Sequence, residues 1–276
     1  MTNSSNIYNI EIETPGDLLV FDVPCKDYYK IALIEEIEEV ETEIMTTFET
    51  LDSGQCKYVN VFDKTSLRGI QNILDNHMEQ ELLNINDEVT ITVGGEPWAM
   101  QVAAIDLYES HEVIFVSKYI YASTALPQQA NVVMTNNNIL SILENQFYAS
   151  INESDKQYIK QKQKQGKIGS ATTVSSRNCY VWILNYNEVS TSTAIASYTV
   201  PVVAFPSLTT AASRIKTWPN GTAGSWWLAD MGSGANSHFY AFGVNTSGVT
   251  IGDYPNGMID TSTNGVVPCF HLTADR

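Results

Sequence analysis

Nineteen of the 31 acidic residues of this 276-residue chain lie in its first 90 positions, together with only 5 of its 15 basic ones. The other 186 positions hold 12 acidic and 10 basic residues, so the net charge of −16 sits almost wholly in the first third. A break of that size marks a change of module, because a strongly self-repelling segment and a near-neutral one do not share one surface pattern. We place it between an acidic N-terminal module, 1–87, and a second domain, 88–276. The acidity also excludes nucleic acid as a partner, since phosphate binding needs clustered cations. The basic stretch "KQYIKQKQKQGK" carries Lys156, Lys160, Lys162, Lys164 and Lys167. It reads as a solvated helix end and loop.

The first module mixes strand and helix signals. "IYNIEIE" alternates apolar and polar residues, Pro15-Gly16 turns the chain, and "DLLVFDV" follows as a second strand. Leu33, Ile37, Val40, Ile44, Thr47 and Leu51 are spaced alternately by four and three, a short heptad seam with Glu at the outer positions. Self-association and docking on the module's own surface both explain it, and the Thr-rich end "IMTTFET" also reads as a strand. "GQCKYVNVF" is a further strand. A helix over 65–83, capped by Asp63 or Thr65, carries the stripe Leu67, Ile70, Leu74, Met78 and Leu82.

From residue 88 the pattern becomes short and strand-like. "EVTITV" alternates and Gly94-Gly95 makes a hairpin turn into "PWAMQVAAIDLY". "EVIFVSKYIYA" reads as one strand. Ile139, Ile142 or Leu143, and Phe147 give helical spacing, with a second helical turn capped by Ser150 or Asn152. "CYVWILNYNEV", "SWWLAD", "HFYAFGVNTSGVTIG" and "VVPCFHL" complete the strands, with a hairpin turn at Asn245–Gly248.

No reaction chemistry emerges from the motifs. "GSGANS" lacks the Lys of a phosphate loop, no G-x-S-x-G elbow occurs, and His77, His111, His238 and His271 have no metal-ligand spacing. The cysteines, Cys25, Cys56, Cys179 and Cys269, form no C-x-x-C pair and read as free buried thiols. We expect no catalytic residue, no metal and no cofactor. No apolar run is long enough to span a membrane, and the N-terminus has no secretory pattern. The remaining signal is aromatic. Trp218, Trp226, Trp227, His238, Phe239, Tyr240, Phe242 and Tyr254 are interleaved with Ser, Gly and Asn, the texture of adaptable binding surfaces. Neighbours on a strand face opposite sides, so one of Trp226 and Trp227 packs inside and the other lies near the surface or under a loop.

From Trp98 onward, the order of these pieces resembles a bacterial and phage domain family of unknown function with a C-type-lectin-like fold. The pieces are "PWAMQVAAIDL", "VIFVSKYI", "ILSILENQFYASINESDKQYI", "SWWLADMGSG", "YAFGVNTSGVTIG" and "VVPCFHL". They follow that family's Trp-bearing strand, amphipathic helix, W-W-L-R-S-x-G strand, hairpin and closing V-R-P strand. Ala229-Asp230 and Val267 stand where the family carries Arg-Ser and Arg, so this chain would be braced differently. The resemblance implies an α+β protein: an acidic β/α module, then a lectin-like domain with mixed antiparallel sheets and two helices. It also implies display of a ligand-binding face, with Trp227, Asp230, Asn236, His238, Tyr240, Asn245, Tyr254 and Asn256 as contact residues. The expected role is a phage virion receptor-binding or tail-fibre adhesion protein, made without a signal peptide. The expected partners are other virion proteins, through 1–87, and a host-surface glycan or protein, without membrane insertion. The alternative is a structural decoration, baseplate or capsid protein that binds protein only. The seam is compatible with a homotrimer. Light scattering on the full chain and on 88–276 tests this: a trimer and a monomer are expected, and two monomers would reduce the seam to an intramodular contact.

Overall fold

The computed structural model describes residues 20–21, 46–50, 56–60, 62–125, 138–167, 174–190, 202–235, 238–251, 258–259 and 262–275. It forms two compact units, Met1–Phe62 and Asp63–Arg276. In the first, β1 (Val20–Phe21), β2 (Thr46–Thr50) and β3 (Cys56–Asn60) make an antiparallel sheet in the order β1-β3-β2. The Thr-rich end of the heptad is therefore a strand, with Thr47 opposite Val59. β-branched residues fit such a pleated surface. Leu33, Ile37, Val40, Ile44 and Leu51 lie outside the described residues.

The second unit begins with α1 (Leu67–Asp75), capped by Ser66, whose Oγ accepts the Gly69 amide at 3.2 Å. Asp63 instead holds the turn ahead of the cap through the amide and hydroxyl of Thr65. The helix expected over 65–83 breaks at His77, which has φ +59. The His77 amide bonds the Leu74 carbonyl and the Met78 amide bonds that of Ile73, the Schellman closure of a helix end. The chain resumes as α2 (Glu79–Leu82). The stretch 63–87, assigned by charge to the N-terminal module, thus belongs to the second unit. Gln71 Nε2 donates to the Thr273 carbonyl near the C-terminus, and the Asp275 amide donates to Asp75.

β4 (Glu88–Val93), β5 (Glu96–Ile105) and β6 (Glu112–Ser117) form a meander. Val89, Ile91 and Val93 point inward as the alternation requires, and Gly94 and Gly95 supply the positive φ of the two-residue turn. The chain then leaves this sheet. Ser117 Oγ bonds the Tyr119 backbone, and β7 (Ala122–Thr124) joins a different sheet. "EVIFVSKYIYA" is therefore two strands rather than one. α3 (Asn138–Ser141) runs into a π-helical stretch, Ile142–Tyr148, whose Ile142, Leu143 and Phe147 are buried. α4 (Glu153–Lys156) is capped by Asn152. β8 (Lys162–Lys167) and β9 (Val174–Cys179) form a separate hairpin.

"CYVWILNYNEV" is a strand only at its start. The Asn185 amide donates to the Glu188 carboxylate at 2.7 Å and the Glu188 amide to the Asn185 carbonyl, half of a capping box, and α5 (Tyr186–Val189) follows. A 3-10 turn at Pro206–Leu208 and α6 (Ala211–Arg214) precede the last strands. These are β10 (Lys216–Thr217), β11 (Ala223–Gly224), β12 (Trp226–Ala235), β13 (His238–Val244), β14 (Thr250–Ile251), β15 (Met258–Ile259), β16 (Asn264–Val266) and β17 (Cys269–Thr273). One sheet has the order β17-β6-β5-β4; the other is β14-β13-β12-β16-β7, with β15 also paired to β13. Among the described residues, β12 and β16 run parallel and the other pairings between named strands are antiparallel. The class is α+β, with short α-helices, none of them, among the described residues, long and apolar enough to cross a membrane.

A single core joins the two sheets. Ala104, Ile114 and Val116 from one side meet Trp226, Leu228 and Phe242 from the other, with Trp182 and Phe205 between. Trp226 and Trp227 take opposite faces of β12, yet both are fully enclosed. Trp226 packs in this core and bonds the Arg214 carbonyl; Trp227 bonds the Thr124 carbonyl beside β7. Neither lies near the surface, because β12 is covered on both faces. Trp226→Ala and Trp227→Ala are each expected to lower unfolding free energy by about 3–5 kcal/mol. Urea titration of each variant checks this; a change under about 1 kcal/mol at either would mean that side is open.

Candidate functional site

Of the eight residues expected on a contact face, Trp227 and Asp230 are fully enclosed and present no surface. Asn245 is partly exposed, but its Oδ1 accepts the Ser247 and Val249 amides at 3.0 Å each and shapes the β13–β14 turn. At Gly248 in that turn φ is +76, and an added Cβ would lie 1.8 Å from the Ala211 carbonyl oxygen. His238 and Tyr240 lie on β13, opposite Ala235 and Ile259. Their side chains, and Asn236, Tyr254 and Asn256 entirely, lie outside the described residues.

The largest departure concerns the basic stretch. Lys162 and Lys164 sit two apart on β8, so alternation points both ammonium groups the same way, and that way is inward. Lys162 Nζ lies 2.5 Å from Glu112 Oε1, and His271 Nδ1 lies 2.6 Å from the same oxygen. Lys164 pairs with Glu188, and the Tyr108 hydroxyl donates to that carboxylate at 2.9 Å. The Tyr108 ring sits within 5.0 Å of Lys162 Nζ and 5.8 Å of Lys164 Nζ. Beyond Glu188, the Asn185 amide donates to Glu188, its side chain to the Gln165 carbonyl, and the Tyr186 amide to Asp230 at 2.7 Å. Glu112, Glu188, Asn185 and Asp230 are all fully buried. These positions were read as solvated because lysine usually is; paired carboxylates make the burial tolerable.

The network is enclosed and braces the unit. It ties β8 to β6 and β17 through Glu112 and His271, and to α5 and β12 through Glu188 and Asp230. Ala229 and Val267 are apolar core positions, and the bracing lysines come from β8. Burial raises the Glu112 carboxyl, but the hydrogen bond to His271 and the Lys162 charge outweigh it and hold the group below its usual range. Burial, with the Glu188 charge, pushes the Tyr108 hydroxyl far up. Cys179 and Cys269 are buried free thiols, pushed upward by burial, Cys179 to about 11. That is opposite to the low thiol value of a nucleophilic cysteine. Burial lowers the Lys216 ammonium to about 8, with Gln101 Oε1 3.4 Å away.

An open recess of about 270 Å³ lies where the π-helical stretch meets β9. Tyr148 and Tyr180, both in its lining, stack on each other with ring centres 4.8 Å apart and planes 7° from parallel. Tyr180 is among the few large side chains left open, at 38% exposure. Arg177 Nη2 holds Glu144 Oε1 at 2.5 Å, and Gln161 and Asn178 add amides to the lining. Lys156 Nζ stands 5.6 Å from the Tyr148 ring centre. This places an apolar ring surface beside a carboxylate, a guanidinium and two amides, donors and acceptors on a rigid helix–strand junction. The sequence signals it weakly: Tyr148 falls in the stretch of helical spacing around Phe147, and Tyr180 in "CYVWILNYNEV", which reads as a strand.

No family model matches this chain, and no match was found among curated proteins or solved structures.

Since Glu112 titrates lower folded than unfolded, its stabilising contribution is full above the ordinary carboxylate range and is lost as pH falls through its folded value. Glu112→Gln is expected to lower stability at pH 7 by about 3–5 kcal/mol and to flatten the pH dependence below pH 5. Thermal melts from pH 3 to 8 check both; a variant curve parallel to wild type would remove Glu112 from acid unfolding.

Proposed function

We propose that the protein is a phage virion adhesion subunit whose second unit is a C-type-lectin-like domain that binds host-surface glycan at the Tyr148–Tyr180 recess. The recess carries the proposal. A sugar ring lays its C–H face on an open aromatic and satisfies its hydroxyls with side-chain amides, carboxylates and guanidinium groups. Tyr180, Asn178, Gln161 and the Arg177–Glu144 pair offer that set on backbone fixed by β9 and a buried helix face. The chain order of the elements supports the lectin-like reading. A Trp-bearing strand, the helix over 138–148, the Trp226–Trp227 strand, the β13–β14 hairpin and the closing β17 follow the family order quoted above. In the proposed assembly, the acidic N-terminal residues dock to other virion proteins.

Glycan-array binding by the full chain tests this. Wild type is expected to select a defined glycan set, and Tyr180→Ala to weaken that binding at least tenfold with little change in melting temperature. A blank array together with unchanged adsorption to host cells would discard glycan binding. Tight copurification with particles in that case would replace it with the structural-decoration reading.

A further inference from the structure

Away from the recess, three donors from separate parts of the second unit converge at the surface. Glu79 opens α2, Asp106 directly follows β5, and His111 directly precedes β6. One donor atom from each lies within 4.8 Å of the others. His111 Nδ1 is 2.7 Å from Glu79 Oε1. Glu79 is 98% buried by its 2% exposure, yet its second oxygen, Oε2, is enclosed and has no hydrogen-bond partner. A buried carboxylate oxygen left unmatched is expensive, and the neighbouring Asp106 carboxylate adds a second negative charge against it. Asp106 is itself fixed: Gln80 Nε2 donates to its Oδ2 at 2.7 Å and the Glu112 amide to its Oδ1 at 3.2 Å. The ring of His77 lies 3.7 Å from that of His111, centre to centre.

We propose that Glu79, Asp106 and His111 form a binding site for a divalent transition-metal ion of the zinc class. One imidazole nitrogen with two carboxylate oxygens suits such an ion, whereas calcium and magnesium take oxygen donors. Three protein donors leave one tetrahedral position for water. Donors bound at about 2.1 Å stand roughly 3.4 Å apart in a tetrahedron. The half-exposed His111, and Asp106 on release of its hydrogen bond from Gln80, can close that far onto the buried Glu79. An ion held by the Glu79 carboxylate, within reach of its unmatched Oε2, and by His111 would replace the present Glu79–His111 hydrogen bond and tie α2 to both ends of the β5–β6 connection.

The full chain, stripped with chelator, is titrated with zinc chloride by calorimetry. One ion per chain with a dissociation constant near or below about 10 µM is expected, with at least tenfold weaker binding in Glu79→Gln and in His111→Ala. Asp106→Asn serves if either variant fails to fold by circular dichroism in chelator. Cobalt(II) replacing zinc should give visible d–d bands without thiolate charge-transfer absorption. A thiolate band would move the ion to the cysteines and overturn the assignment. No saturable binding below about 100 µM, or equal binding by wild type and variants, the mark of an adventitious ion only, would also overturn it.

Discussion

The second unit depends on two lysines facing inward. Lys162 and Lys164 leave β8 on one side and end against carboxylates from two other elements, Glu112 of β6 and Glu188 of α5. A buried ammonium without its carboxylate is intolerable, and the reverse holds equally. The face that β8 turns inward is therefore set by charge as well as by apolar contact. A slip of one residue would expose both lysines and leave Glu112 and Glu188 unpaired in the interior. The Tyr108 ring between the two ammonium groups makes one unit of what would otherwise be two separate pairs. From Glu188 the same constraint passes through the start of α5 at Asn185 to Asp230 on β12. The two sheets thus share a polar brace in addition to their apolar core.

What the sequence made legible was local. The alternation in "EVTITV", the Gly94-Gly95 turn, the Asn152 cap and the turn at Asn245–Gly248 all rest on short-range rules, and the structure has each of them. The misreadings arose where tertiary context overrode composition. Lysine composition predicts solvent, and nothing within "KQKQK" announces two carboxylates more than twenty residues away. Alternation was right for Trp226 and Trp227, but it says only that they face opposite sides, and both sides of β12 are covered. Asn185-x-x-Glu188 is a helix-start pattern in plain sequence, obscured by the apolar run before it. His77 closing α1 in the left-handed region was not legible, since Gly and Asn are the usual residues there.

The candidate sites were the least legible part, for a geometric reason. The expected face was sought in one contiguous hairpin, 224–258, whereas both sites described here join segments distant in sequence. The recess pairs a residue of the 142–148 helix with one just past β9. The Glu79–Asp106–His111 cluster joins a helix start to two strand ends, so a search for metal-ligand spacing along the chain passes over it.

Both sites sit where an irregular segment meets the end of a regular one, and this follows from how the interior is built. The brace pairs its buried charges with one another, and burial pushes the thiols away from reactive values. Groups available to an outside molecule are then confined to the rims. There a side chain is anchored by its element yet keeps one open face, as Tyr180 does above the enclosed Cys179, and His111 and Asp106 do above the enclosed Glu79. A rim position of this kind combines a fixed backbone with a side chain already held by a neighbour, Tyr180 by its stack on Tyr148 and Asp106 by Gln80 and the Glu112 amide. Such a combination holds a ligand at low ordering cost, and it requires no movement of the charged interior on which the two sheets depend.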